Sequence, residues 1–233
     1  MVGRRKDRRW LWRAIAGLAL LAMLGGFALW WHMAHWTPER SEYAMQGIEV
    51  GTSDGRMDWA ALKATGVDFA YLDASASAFA RDDAFTSNLE AARKAEMRVG
   101  AVHRYDPCQP ADKQAANFVT VVPRMDALLP PAIELATLAD ACLTSVPDAE
   151  VESELMTFLN QVESHTGKPA ILKLLPDFES RYGIAARIDR NLWLVRDRLQ
   201  PDYAGRPWTL WTANTRLRLD VADEPVRWLV VRP

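Results

Sequence analysis

Short runs rich in β-branched and aromatic residues alternate with amphipathic helical patterns, and this alternation constrains the fold more than any other feature. Helical patterns lie at 58–65, 83–96, 112–121 and 152–166. Alternation of this kind is typical of strands buried in one parallel sheet, so we predict an α/β fold with a single irregular, TIM-like (β/α) barrel. Residues 196–207 and 212–225 look too short or too polar for full helices, so we expect helices to be missing from the second half. The eight predicted strands are 48–50, 69–72, 99–102, 132–135, 170–174, 192–195, 209–211 and 226–231.

The N-terminal segment has the composition of a membrane anchor. Residues 14–31 are 18 uncharged, mostly apolar residues, about 27 Å of helix, and tryptophans flank both ends of the run. A cleaved signal peptide is the alternative, but the run exceeds a typical signal core and no small-x-small cleavage site follows. We therefore predict a basic cytoplasmic tail at 1–9, a transmembrane signal anchor at 10–33, a tether at 34–46 and a barrel domain at 47–233.

The charge distribution predicts the orientation of this anchor. The segment before the span carries about +5, while the whole chain carries −2, so the part after the span is acidic, at about −7. The positive-inside rule then keeps the N-terminus in the cytoplasm and exports the domain, as in a single-pass inner-membrane protein facing the periplasm. An acidic domain has no electrostatic reason to bind nucleic acid, and we expect membrane association through the helix alone.

An exported domain changes the interpretation of the two cysteines. In an oxidising compartment Cys108 and Cys142 more often pair than not, and the bond would stabilise the domain by about 3–4 kcal/mol on the loop-entropy estimate. Two buried free thiols are the alternative. A thiol nucleophile is disfavoured, because no histidine stands near either cysteine in a recognisable pattern.

Candidate functional residues follow from the barrel, because such folds carry their chemistry at the C-terminal ends of the strands. Carboxylates and tryptophans in one cleft suit a carbohydrate, with paired carboxyl groups as acid and as nucleophile or stabiliser. A structural role competes in each case: a strand-end glutamate can be an ion-pair member, and a tryptophan or His103 a core residue. No zinc-protease, P-loop, nucleophile-elbow or dinucleotide-binding motif occurs, and we predict neither a metal nor a cofactor. The candidates are Glu49 and Glu134 for catalysis, and His103, Tyr105, Trp193, Trp211 and Asn214 for substrate binding.

The order and spacing of several segments resemble family-25 glycoside hydrolases, the muramidase-type lysozymes. The likeness covers 47–233 and is carried by GIEVG at 47–51, Asp58-Trp59, GVDFAYLDAS at 66–75, RVGAVH at 98–103, AIELA at 132–136, and Trp211 with VRWLVV at 226–231. The resemblance implies an irregular (β/α) barrel without a metal. It also implies cleavage of the muramic-acid linkage in peptidoglycan.

The departures from the family pattern fall on its catalytic positions. Glu49 stands where the family has an aspartate, and Ala76 where it has a glutamate. The family's Asp-x-Glu motif, whose second member is the principal acid, reads Glu134-x-Ala136 here. Arg227 begins the segment that replaces a late Asp-x-Asn pattern. We therefore expect a degenerate hydrolase site, since losing a general acid typically costs about 10²–10⁴ in rate.

Three functions remain open from the sequence. The first is a membrane-anchored module that binds glycan strands of peptidoglycan with a degenerate hydrolase site. The second is an active N-acetylmuramidase that uses Glu134 as acid and Glu49 as its electrostatic partner. The third is an envelope scaffold that binds proteins and no sugar. Exposed ring faces of Trp193 and Trp211 in the groove would separate the first two from the third.

Overall fold

The computed structural model describes residues 4–233, with side chains from Trp10 onward, and residues 1–3 of the predicted basic tail lie outside this part. The chain divides into two compact units, Met1–Trp36 and Thr37–Pro233. The first unit consists of one helix, α1 (Arg4–Ala34). Its segment Trp10–Ala34 is long and apolar enough, by length and composition, to be a candidate membrane span.

The second unit is a closed eight-stranded barrel with one extra short strand. All eight predicted strands are present, and the added strand β3 forms a hairpin with β2. The fold prediction is confirmed. The strands are β1 (Gln46–Val50), β2 (Phe69–Ala76), β3 (Ala80–Arg81), β4 (Arg98–Tyr105), β5 (Ala132–Leu135), β6 (Ile171–Leu174), β7 (Asn191–Val195), β8 (Leu210–Leu217) and β9 (Val226–Val231).

The strand order brings the functional ends of all eight barrel strands to one mouth. Strands β1, β2 and β4 to β8 are parallel neighbours, and pairing between β1 and β2 completes the ring. Strand β9 runs antiparallel to both β8 and β1. The N-terminal end of β9 therefore meets the C-terminal ends of the other strands, and Arg227 enters the mouth from this reversed strand.

Helices cover the outside of the first half of the barrel, as predicted. The four expected helices are α2 (Trp59–Ala64), α3 (Phe85–Lys94), α4 (Ala111–Val121) and α5 (Asp148–Thr166). Two short helices, α6 (Pro176–Tyr182) and α7 (Ile184–Arg187), were not predicted. Within the described residues no helix follows β7 or β8, as expected from the polarity of those connections.

The barrel interior below the mouth is a packed apolar core. Alternate residues of each strand point inward, so every second position is apolar. Gly100 has a direct steric role, because a Cβ there would lie 2.3 Å from the ring of Tyr71. The inward-facing residues are Phe69, Tyr71, Val102, Ala132, Ile171, Trp193, Leu210 and Leu229.

Most of the segment predicted as a free tether is packed against the barrel. Tyr43 is buried and stacks on Trp208, while Arg40 pairs with Asp68 and bonds the carbonyl of Gly66 at the start of β2. The sequence 37–46 is polar, but Tyr43 supplies an aromatic ring that covers the outer face of the last strands. This segment therefore belongs to the domain, at the end of the barrel opposite the mouth.

Candidate functional site

Seven charged side chains form one connected cluster at the mouth of the barrel. All but Asp54, which lies in a short 3-10 turn after β1, continue the inward-facing rows that are apolar deeper in the barrel, one layer above the ring of Trp193. Ion pairs link every member of the cluster to at least one other. The members are Glu49, Asp54, Asp73, Arg104, Glu134, Lys173 and Arg227.

Lys173 occupies the centre of this cluster. Its Nζ lies 2.6 Å from Oε1 and 2.7 Å from Oε2 of Glu49, and 2.6 Å from Oε2 of Glu134. Glu134 is the β5 neighbour of Lys173 in the sheet register, whereas Glu49 stands across the barrel on β1. The side chains of Lys173 and Glu49 are 5% and 0% exposed, so this ammonium group is enclosed between the two predicted catalytic carboxylates.

Two arginines connect the remaining carboxylates. Arg227 lies 3.3 Å from Oε2 of Glu49 and donates to Oδ2 of Asp54 at 3.0 Å and of Asp73 at 3.2 Å. Arg104 donates to Oδ2 of Asp73 at 2.7 Å and is half exposed at the rim. Room for Asp73 depends on Gly51, where a Cβ would lie 2.5 Å from Oδ2 of Asp73.

These contacts set the protonation states of the cluster. Burial disfavours the charged form of each group, but Lys173 and Arg104 outweigh it and lower the pKa of Glu134. Burial likewise opposes the Lys173 cation, but Glu49 and Glu134 raise its pKa. Burial raises the pKa of Glu49, against the opposing effect of Lys173 and Arg227. Glu134 is thus held as a carboxylate at neutral pH, which is unsuited to donating a proton to a leaving group.

The two alanines of the altered family motifs stand beside this cluster. Ala136 follows β5 directly, and Ala76 ends β2 beside a cavity of about 160 Å³. Asp73 lines the same cavity, and its Oδ1 is buried without a hydrogen-bond partner among the described residues. Neither alanine can transfer a proton, so among the altered motif positions only Glu49 and Glu134 keep a carboxyl group.

Two of the predicted substrate-binding residues lie on the outer face of β4. His103 and Tyr105 are 0% and 1% exposed and pack on Phe158 of α5. Burial lowers the pKa of His103 to about 4, against a hydrogen bond with Gln114. Alternation along β4 explains the difference from the prediction, because Arg104 points into the mouth and its two neighbours therefore point away from it.

The other three predicted binding residues are also buried. Trp193 lies under Lys173 with Nε1 bonded to Thr212, and Trp211 packs against Tyr43. Asn214 is 0% exposed. These side chains offer no ring face or amide to solvent, because the barrel core and the packed segment before β1 cover them. The aromatic groove expected on Trp193 and Trp211 is therefore not formed.

A disulfide connects two loops at the rim. Cys108, after β4, is bonded to Cys142, after β5, as predicted. The bond ties the loop after the Glu134 strand to the loop after the Arg104 strand. It thereby fixes one side of the mouth.

The sequence predicts Glu49 and Glu134 as a catalytic pair but does not relate them to the other five members of the cluster. The signal that relates the cluster residues is the alternation of inward-facing and outward-facing positions along each strand. Lys173 shares the inward face of β6 with Ile171, just as Glu134 shares that of β5 with Ala132. An inward lysine in a closed barrel needs carboxylate partners, and Glu134 is its direct neighbour.

Comparison with known proteins agrees with this architecture. The profile described as Glycosyl hydrolases family 25 matches residues 48–215, which contain six of the seven cluster residues. The chain belongs to glycosyl hydrolase family 25. Among curated relatives of this family member, YegX of Escherichia coli K12 is 25% identical over 193 residues, covering 80% of this chain and 69% of YegX. Lysozyme M1 of Streptomyces globisporus is 36% identical over 74 residues, 32% of this chain and 25% of that protein.

Solved structures support the family assignment. A family 25 glycosyl hydrolase from Bacillus anthracis superposes with a TM-score of 0.78 at 26% identity, covering 87% of this chain and 94% of that one. A bacterial lysozyme from Streptomyces coelicolor gives a TM-score of 0.71 at 20% identity, with 81% and 92% covered. The second match, at this identity, supports the fold alone.

Proposed function

We propose that this family 25 protein is a membrane-anchored module that binds the glycan strands of peptidoglycan without hydrolysing them. In this role the barrel supplies a glycan site and the N-terminal helix holds it at the cell membrane. Hydrolysis is lost because Glu134 is held as a carboxylate, while Glu49, whose pKa burial raises, is enclosed with Lys173 and reaches no leaving oxygen.

The position of Lys173 carries the proposal. Glycoside hydrolysis requires one carboxyl group that keeps its proton and a second that faces the sugar with room for it or for water. Here one ammonium group binds both Glu49 and Glu134 at 2.6 Å and holds Glu134 in its charged form. The position that bears the acid in the family motif is Ala136, so no spare carboxyl group replaces it there.

Family membership supports a glycan as the ligand. The similar proteins of known structure include a lysozyme and a glycosyl hydrolase, and barrels of this kind carry their sites at the C-terminal strand ends, where the charged cluster of this chain lies. The half-exposed Arg104 and the carboxylates beside it offer hydrogen-bond donors and acceptors at the rim. Such mixed polar groups suit sugar hydroxyls.

The apolar helix supports the location. Trp10–Ala34 is long enough to span a bilayer, and the basic residues before it favour a cytoplasmic N-terminus. The domain would then stand on the periplasmic side of an inner membrane, where glycan strands are found. The Cys108–Cys142 bond is compatible with that oxidising compartment.

Two measurements on the full-length protein in detergent micelles test this function. Release of dye from labelled sacculi reports hydrolysis, with an active muramidase as positive control. Co-sedimentation with insoluble sacculi reports binding. We expect sedimentation without dye release, for both the wild type and Glu134→Gln.

The other candidate functions predict different results. Dye release that disappears in Glu134→Gln would identify an active muramidase and refute the proposal. Absence of sedimentation would refute glycan binding and favour a protein-binding scaffold, a role compatible with the burial of Trp193 and Trp211.

A further inference from the structure

Phe79 is the one aromatic side chain of residues 37–233 that is open to solvent. It is 73% exposed at the tip of the turn between β2 and β3, whereas the other aromatic rings of this unit are buried or partly buried. Single exposed apolar residues are common on protein surfaces and need no function. Phe79 differs from such residues because it lies next to a polar cavity.

The cavity begins at the residue that follows Phe79 in the chain. Its volume is about 160 Å³, smaller than a typical ligand pocket, so it has room for one substituent of a larger molecule. Asp73 lines the cavity, and its Oδ1 is buried without a hydrogen-bond partner within the described residues, so a donor that reached it would satisfy a buried acceptor. The wall is formed mainly by Asp73, Ser75, Ala76, Ala80, Arg81 and Arg104.

The hydrogen-bond network also fixes the role of Ser75 in this wall. The amide nitrogen of Gln114 donates to the carbonyls of Asp106 and Gln109, so its Oε1 faces Nε2 of His103 at 3.4 Å and accepts from it. Nδ1 of His103 must then accept the hydroxyl proton of Ser75, at 2.8 Å. The Ser75 hydroxyl therefore faces His103 on the outer side of the barrel, and its proton is not free for a ligand. The wall of the cavity thus combines the carboxylates of Asp73 and Asp82 with the guanidinium groups of Arg81 and Arg104.

The hairpin that presents Phe79 is held rigidly. Nδ2 of Asn117 donates to the carbonyls of Ala80 at 2.9 Å and Ser77 at 3.2 Å, and its Oδ1 accepts from Arg81 at 3.1 Å. Ser77 adopts a left-handed conformation, with φ of 47°, which its bond to the carbonyl of Arg104 maintains. A backbone fixed in this way loses little freedom when its exposed side chain binds a ligand.

We infer that Phe79 and the adjoining cavity form a binding site for one N-acetylhexosamine unit. The apolar face of the sugar ring lies on the phenyl ring, and a polar substituent such as the acetamido group enters the cavity between its donors and acceptors. This inference rests on the proposed glycan-binding function and assigns its aromatic contact to Phe79 in place of the buried Trp193 and Trp211.

Isothermal titration of the full-length protein in detergent tests the site. The probe is a soluble tetrasaccharide of alternating N-acetylglucosamine and N-acetylmuramic acid. We expect Phe79→Ala and Phe79→Leu to weaken binding by about tenfold or more, and Phe79→Trp to retain it. Ala80→Leu, which narrows the cavity, should also weaken binding. Val119→Ala, an exposed apolar residue on α4, is the matched control and should change nothing.

The outcomes separate this inference from the function on which it rests. Wild-type binding that persists within twofold in Phe79→Ala and Phe79→Leu would overturn the Phe79 site and leave glycan binding intact. A leucine variant that binds like the wild type while alanine does not would refute ring stacking. Absence of binding by the wild type, with sedimentation on sacculi also absent, would refute the proposed function itself.

Discussion

Lys173 donates to both carboxylate oxygens of Glu49 in a part of the barrel mouth that solvent hardly reaches. The two oxygens are 2.6 and 2.7 Å from Nζ, and the carboxylate and the ammonium group come from opposite sides of the barrel. Removing one member of such a pair leaves a buried charge without compensation, which is far more costly than removing both.

The first prediction follows from that pair. Lys173→Met should lower the free energy of unfolding by about 3–5 kcal/mol, because Glu49 and Glu134 lose their shared cation. Urea unfolding followed by near-ultraviolet circular dichroism measures the change. Arg181→Met is the control, since its pair with Asp148 is exposed and should contribute about 0–1 kcal/mol. Replacing Lys173, Glu49 and Glu134 together by neutral residues should recover part of the loss, and a larger loss would contradict the account.

A second prediction concerns the missing acid. Ala136→Glu should restore no more than trace hydrolysis of labelled sacculi, because the new carboxyl group enters a mouth where Lys173 still neutralises Glu49 and Glu134. Dye release should stay about 10²-fold or more below an active muramidase. Ala136→Gln controls for the added volume. Turnover close to that of an active enzyme would mean that the ion pairs do not limit catalysis.

A third prediction is a pH dependence of stability that belongs to His103. Burial lowers its pKa to about 4 from 6.5, so the unfolded chain takes up a proton near pH 6.5 while the folded protein does not. The contribution is fully present above pH 6.5 and decreases as pH falls toward 4, by about 2 kcal/mol between pH 7 and pH 5. Urea titrations at both pH values measure this slope. His103→Gln should flatten it, and an unchanged slope in that variant would assign it to other groups.

The fourth prediction concerns the disulfide. The double variant Cys108→Ser/Cys142→Ser should lose about 3–4 kcal/mol of stability, since the bond closes a loop of 34 residue positions in the unfolded chain. A reducing agent should lower the stability of the wild type to the same level and leave the double variant unchanged. Equal stability of both proteins under oxidising conditions would show that the bond adds nothing.

The sequence predicts the barrel well because its signals are local and periodic. Runs such as 69–72 and 99–102 contain the β-branched and aromatic residues of buried strands, and the cap Asp58 accepts a hydrogen bond at the start of α2 as its position suggests. Pro176 and Gly183 bracket α6 and were the available signal for that missed helix. The reversed direction of β9 has no such local signature, since it depends on which strands it pairs with.

The site is harder to predict because it depends on which side of a strand each residue faces. If the inward face of β4 is assigned one position off, the buried His103 and Tyr105 are predicted at the mouth in place of the exposed Arg104. Trp193 and Trp211 could each stack on a sugar at the surface or fill the apolar core. Only the closure of the barrel decides which of these two roles they have. The network around Lys173 joins β1, β5 and β6, which are distant in sequence, so alternation along the strands places Lys173 beside Glu134 but does not reveal its pair with Glu49 across the barrel.

The packing of Tyr43 and Arg40 on the far end of the barrel has a mechanical consequence. A force on the chain upstream of Thr37 reaches the domain through the contacts of Arg40 with Asp68 and of Tyr43 with Trp208. It does not reach the domain first through the residues at the mouth. Force transmitted along that route would load the contacts of Arg40 and Tyr43 first and would reach the charged cluster only through the length of the barrel strands.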